Sequence, residues 1–145
     1  EVEALVSKSF TPYPQRIGDS LRKDQLNTLI SILEERAGMN MYDKNVIIKT
    51  TGGIKIQEQS VNLSIIMAIA SSLMNKPIPS DIVFIGEVGL TGEIKRVPQI
   101  ETRLKEIERL GYKKVYISQN TNLTQKYDLE IKQFDSIRSV ISDIF

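Results

Sequence analysis

The side chains available for chemistry in this chain are restricted in kind. Its 145 residues include no His and no Cys, which removes Ser-His-Asp triads, imidazole metal sites, thiol nucleophiles, zinc knuckles and disulfides. Catalysis would have to come from Ser, Thr, Tyr, Lys, Arg and carboxylates. A Ser next to a Lys held neutral by burial is one such route, because the free amine takes the hydroxyl proton and backbone donors hold the oxyanion. The glycines at 86, 89 and 92 suggest a phosphate cradle, yet their spacing matches neither G-x-G-x-x-G nor G-x-x-x-x-G-K-[ST]. They read instead as a strand that reverses tightly, where residues tolerant of positive φ are needed. Gly52-Gly53 reads as a turn in the same way.

The elements that must position these groups follow from periodicity. Glu1-Val-Glu-Ala-Leu-Val-Ser7 alternates as a strand rather than a targeting segment. Thr11-Pro-Tyr-Pro14 excludes helix. Leu26, Leu29, Ile30, Leu33 and Ala37 recur at helical spacing, and Gly38 stops that helix. Val46 to Thr50 is a strand, and Ile54-Lys-Ile56 resumes the alternation after the glycine pair. Ser60 to Met74 predicts a helix buried on most sides, ended by Pro77 and Pro79. Its longest apolar stretch, Ile65 to Ala70, falls far short of the roughly 20 residues a membrane crossing needs.

Ile82 to Ile85 predicts a buried strand. Ile100, Leu104, Ile107 and Leu110 predict an amphipathic helix capped at Gly111, and Val115-Tyr-Ile117 another strand. Ser118 to Gln125 is a loop, Ile131 to Phe134 a short strand, and Ser136 to Ile144 a closing helix. Without repeat or linker, residues 1–145 read as a single mixed α+β domain.

Several blocks together resemble a known family: Gly52-Gly-Ile-Lys-Ile56, Ser60 opening a helix, Ser71-Ser-Leu73 with Lys76-Pro-Ile-Pro79, Gly86-Glu-Val-Gly-Leu-Thr-Gly-Glu-Ile94 and Val97-Pro98. In order and spacing they resemble the C-terminal, Lon-protease-like domain of the bacterial RadA (Sms) family of DNA repair proteins. Leu33-Glu-Glu-Arg-Ala-Gly38 and Glu1-Val-Glu-Ala-Leu-Val6 resemble it too. The resemblance implies a Lon proteolytic-domain fold related to ribosomal protein S5 domain 2. It implies a cytoplasmic, ring-forming, ATP-driven motor of DNA recombination, with a hexamer, DNA and a recombinase as partners and no membrane. No cofactor is expected in this domain. ATP, Mg and Zn belong, on this resemblance, to a zinc-finger and a RecA-like ATPase domain preceding residue 1.

In Lon the fold carries a Ser-Lys dyad. Block by block, Ser60 falls at the nucleophile position and Glu101 at the Lys position, so the resemblance implies a degenerate dyad and no catalytic residue. A carboxylate with a reference pKa of about 4.3 is a poor base toward a hydroxyl and places negative charge where an oxyanion must form. Ser60 then reads as a helix N-cap. Gln57-Glu-Gln59 also departs from the Asp-Gly-Pro run that precedes the Lon nucleophile, and Asn62 replaces a customary Asp. The enzymatic alternative pairs Ser60 with Lys105, which otherwise reads as the i,i+4 ion-pair partner of Glu101.

Net charge is +1, which gives no global pull toward nucleic acid. From Lys95 to Lys114, however, seven positive residues face three negative ones, and from Asp128 to Asp143 four negatives face two positives. Screening confines each charge to roughly 8 to 10 Å, so a local basic surface could hold phosphates while the average stays near zero. A solvated helix face with mixed charges is the alternative. With the family resemblance, Arg16, Lys95, Arg96 and Arg103 are the expected DNA-facing residues.

Overall fold

The structure, a computed structural model, describes residues 1–51 and 58–145. The turn expected at Gly52-Gly53 and the strand expected at Ile54 to Ile56 lie outside the described residues.

Three strands form a first sheet: β1 (Val2–Lys8), β2 (Arg16–Gly18) and β3 (Lys44–Thr50), with β3 in the centre, antiparallel to β1 and parallel to β2. The alternation Val2, Ala4, Val6 puts one face of β1 on the core, and Val46 and Ile48 do the same for β3. Strand β2 was not expected from the sequence. At three residues it is too short to show a period, and its pairing to β3 defines it.

The helix α1 (Lys23–Ala37) buries Leu26, Leu29, Ile30, Ile32 and Leu33, and Gly38 ends it at φ 68° with its N–H bonded to the Leu33 carbonyl. A 3-10 turn (Gln59–Val61) leads into α2 (Asn62–Met74), which buries Leu63, Ile65, Ile66, Met67, Ile69 and Ala70. Asn75 in the left-handed region at φ 52° terminates α2 before either proline is reached.

A second, wholly parallel sheet has the order β4 (Ile82–Phe84), β7 (Lys114–Ser118), β8 (Glu130–Phe134). Between β4 and β7 come a hairpin of β5 (Glu87–Val88) and β6 (Ile94–Lys95), then α3 (Ile100–Arg109). The hairpin is the tight reversal expected at the three glycines: Gly92 sits at φ 83°, and its N–H donates to the Gly89 carbonyl at 2.9 Å. Helix α4 (Ile137–Ile144) closes the chain, and Ser136 caps it by accepting from the Ser139 N–H at 3.2 Å.

The parallel sheet is covered on both faces, as such sheets must be. On one face Phe84 and Tyr116 join α1, α2 and α4 in the larger core, with the rings of Phe84, Tyr116 and Phe134 stacked at centroid spacings of 5.1 and 5.8 Å. On the other, α3 packs Leu104 and Ile107 against Ile85, Val115 and Ile117. The strand β4 thus sends Phe84 toward α2 and its neighbours Val83 and Ile85 toward α3. The start of α2 and the inner side of α3 therefore meet beside one strand. The mixed α+β class read from the sequence is the class observed.

Candidate functional site

Ser60 lies at that meeting point, 5% exposed. It does not act as the expected N-cap. The residue preceding α2 is Val61, without a side-chain cap bond, because the amides at this end find backbone acceptors. Val61 N–H donates to Glu58 and Leu63 N–H to the Gly86 carbonyl, and Gly86 N–H in return donates to the Ser60 carbonyl at 3.0 Å. The loop after β4 supplies the cap, which leaves the Ser60 hydroxyl free for other partners.

Those partners are charged. Arg103 on α3 donates from Nη1 to Ser60 Oγ at 3.1 Å, from Nη2 to the Glu58 carboxylate, and from Nε to the Pro98 carbonyl at 3.1 Å. Arg103 first, and the Ser60 hydroxyl next, hold the Glu58 carboxyl below its ordinary range. Ser60 thus accepts from a guanidinium that is itself bound to a carboxylate. Neither neighbour suits nucleophilic attack. Arginine keeps its proton at any relevant pH, and a carboxylate made more acidic is a weaker base toward a hydroxyl. Glu58 had no signal in the sequence as a partner of Ser60. Arg103, expected to face DNA, is half-buried in this cluster.

Glu101, expected opposite Ser60, turns to the other side of α3. Its carboxylate accepts from Thr124 N–H at 2.9 Å, Thr124 Oγ1 at 2.7 Å and the Tyr127 hydroxyl at 3.0 Å. These bonds, Thr124's foremost, lower its pKa. The structure therefore does not bring Ser60 and Glu101 together. A helix turns 100° per residue, so the position facing Ser60 passes to Arg103 two residues on. The expected Glu101 to Lys105 ion pair is also absent among the described residues, and Lys105 stands exposed on α3. No hydrogen bond joins Lys105 to Ser60 among the described residues.

Beside this cluster, Asn62 is 3% exposed and links two glutamines: Gln25 of α1 donates to its Oδ1 at 2.9 Å, and its Nδ2 donates to Gln59 at 2.8 Å. An Asp here could accept from Gln25 but could not donate to Gln59. The chain of amides fixes the entry to α2 against α1. A cleft of about 1400 Å³ opens in front of Ser60 and Arg103 and is lined by β1, β4 and the small residues Ser64, Ala68, Ser71 and Ser72 of α2.

The remaining basic residues are spread over separate units. Arg16 on β2 is half-buried, with Nη2 donating to the Met41 carbonyl at 2.8 Å. Lys95 ends the hairpin, opposite Glu87 in the register, and Arg96 follows it; both are exposed. No ion pair engages Lys95, Arg96, Lys105 or Lys113 among the described residues, whereas Arg109 pairs with Glu106, and Lys114 with Glu130 at 3.7 Å. Of the four residues expected to face DNA, only Lys95 and Arg96 are adjacent and exposed. No helix among the described residues is long and apolar enough to cross a membrane.

A family model described as subunit ChlI of Mg-chelatase matches residues 18–121. The chain is also similar to proteins named DNA repair protein RadA. That of Streptococcus pneumoniae is 34% identical over 100% of this chain and 35% of its own length. Those of Haemophilus influenzae and Bacillus subtilis are 37% and 38% identical, each over 81% of this chain and 26% of their own length. The chain spans about a third or less of these relatives.

Proposed function

The chain belongs to the family described as subunit ChlI of Mg-chelatase, and from that premise, with its similarity to proteins named DNA repair protein RadA, we propose a non-proteolytic, Lon-like scaffold domain of a RadA-type DNA repair ATPase. In this reading residues 1–145 form one domain that supports a hexameric ring and contributes part of a DNA path. ATP-driven work is assigned to the remainder of the longer protein. The observation that carries the non-proteolytic part is the guanidinium of Arg103 on the Ser60 hydroxyl, where a dyad would need a neutral amine.

For DNA, the exposed neighbours Lys95 and Arg96 are the proposed phosphate contacts, with Arg16 as a partly buried third. Arg103 is given a bracing role: it orders the start of α2 against α3. The double variant Lys95→Glu/Arg96→Glu leaves the described hydrogen bonds intact and should weaken DNA binding. It should also lower the dependence of log K on log salt by about 0.7 to 0.9 per lost phosphate contact. Unchanged affinity and slope, measured by anisotropy across several salt concentrations, would remove this face from the path.

A further inference from the structure

The cleft in front of Ser60 runs between the edges of two sheets. Strand β1 ends the order β1-β3-β2, β4 ends the order β4-β7-β8, and residues of both line the cleft. A sheet edge carries main-chain donors and acceptors on its free side. Along β1 and β3, Thr51 N–H donates to the Glu1 carbonyl at 3.1 Å and Ser9 N–H to the Asp43 carbonyl at 2.7 Å. Both pairs continue the register of Val2 with Thr50. The odd-numbered residues therefore bond to β3, while Val2, Ala4 and Val6 turn their main chain outward. The Val6 N–H points the same way, donating to Ser72 Oγ of α2 at 2.9 Å. Val2 and Ala4 have no outward partner among the described residues.

The opposite edge is largely spent. Ser64 Oγ of α2 donates to the Phe84 carbonyl at 2.7 Å, and the Ile82 N–H donates to the Pro79 carbonyl at 3.3 Å. Strand β1 is thus the wall left open for pairing. Between the two edges lie Ser64, Ala68 and Ser71 of α2, whose short side chains leave room above the helix. At about 1400 Å³ the cleft exceeds the roughly 300 to 1,000 Å³ of small-molecule pockets. Its charged lining holds more acid than base among the described residues, with Glu1, Glu3 and Glu106 against Lys49 and Arg103, and Arg103 is already bound to Glu58. That balance disfavours a polyanion. Apolar side chains are welcome, since Leu5, 59% exposed, and Val83 border the space. An extended peptide without excess negative charge meets all of these conditions, its main chain supplying affinity and its alternate side chains specificity.

We propose that the cleft seats an extended, uncharged peptide segment of another protein, added as a strand to the free edge of β1 at Ala4. Alternate side chains of that segment face the small residues of α2. The proposal goes beyond DNA contact, and it rests on the non-proteolytic reading only in that the bound peptide is left intact.

The test titrates the full chain with an end-blocked peptide of alternating Val and Thr, about six residues long as strands usually are, and follows amide hydrogen exchange. Binding should slow exchange at Ala4 and leave Leu5, already bonded to β3, unchanged. The same peptide N-methylated throughout should bind at least about tenfold more weakly. Ala4→Pro, which removes only an outward N–H and is tolerated on an edge strand, should weaken binding about two- to tenfold. Ala68→Phe, which fills the floor, should abolish it. No binding up to about 1 mM, equal binding of the N-methylated peptide, or binding without protection at Ala4 would overturn the proposal. Displacement of the peptide by oligothymidylate would overturn it in favour of nucleic acid. A sedimenting dimer of the chain alone, lost in Ala4→Pro, would overturn it in favour of a second copy. Cleavage of the bound peptide would instead defeat the non-proteolytic reading and leave the seat on β1 standing.

Discussion

Ser60 and Tyr116 are both buried hydroxyls gripped by charged side chains, and the grip has opposite sense. Ser60 accepts from the Arg103 cation. Tyr116, 1% exposed, donates to Asp143 at 2.7 Å, and Lys132 donates to the same carboxylate at 2.9 Å. Each cluster ties a helix to the element beside it, α3 to the start of α2 in one case and α4 to β7 and β8 in the other. Only the first stands at a cleft and at the position a peptidase would use. The difference teaches that a serine in the right place is not by itself a nucleophile. At Ser60 the fixed positive charge does the same kind of work that the Asp143 carboxylate does at Tyr116, which is to hold two elements together.

The sharpest way to break this comparison is at the better buried cluster. Asp143→Ala should strand the Tyr116 hydroxyl without its acceptor, destabilising the fold by about 1 to 3 kcal/mol in urea unfolding. Asp143→Asn, which keeps an acceptor, should recover much of that loss. If the alanine variant were as stable as the parent, α4 would owe nothing to this bond and the likeness of the two clusters would fail.

A smaller effect is expected at the other cluster. Arg103→Ala should cost about 0.5 to 1.5 kcal/mol through the lost bonds to Ser60 and Pro98, and it should produce no peptide hydrolysis. Ser60→Ala should be milder still. A loss at Ser60 exceeding that at Asp143 would reverse the ranking and make the cleft the main structural joint.

Acidity separates the clusters further. Asp143 is held below its ordinary pKa, by the Tyr116 hydroxyl first and then by Lys132, so its contribution is complete above the unfolded value of about 3.9 and is lost as pH falls through the folded value. Burial, then Asp143, raises the Tyr116 pKa. Its contribution is present below the unfolded value of about 10 and is lost as pH rises through the folded value. The parent should therefore lose stability at both extremes, with Asp143→Asn flattening the acid limb and Tyr116→Phe the alkaline one. Matching profiles for parent and both variants would dissociate the cluster from pH stability. The least effect is expected from Lys105→Ala, an exposed residue with no ion pair among the described residues, whose unfolding free energy should stay within about 0.5 kcal/mol of the parent.

Much of the fold was legible because its signals are local. The stripe Ile100, Leu104, Ile107 gave α3, Gly38 gave the end of α1, and the alternation of Glu1 to Ser7 gave β1. Strand β2 was not legible, since three residues carry no period and only the pairing with β3 makes Arg16 to Gly18 a strand. The end of α2 at Met74 was legible, but its cause was not: the prolines were read as the stop, whereas Asn75 ends the helix before them by taking the left-handed conformation.

The surroundings of Ser60 were less legible than its place in the chain. Ser60 lies in the turn before α2, but a match in one dimension does not say which side of α3 meets it. The loop that Glu101 clasps through Thr124 and Tyr127 rotates the acid away and presents Arg103. The N-cap reading failed for a similar reason: a distant carbonyl, that of Gly86, had already met the amide of Leu63.

The central claim, that the Ser60 hydroxyl is a tether and not a nucleophile, is tested most directly by treating the protein with a serine-reactive fluorophosphonate and measuring intact mass and the modified peptide. The account predicts no adduct on Ser60 in the parent and none in Lys105→Ala. A stoichiometric adduct on Ser60, lost when Lys105 is replaced, would contradict it and establish the peptidase reading in its place.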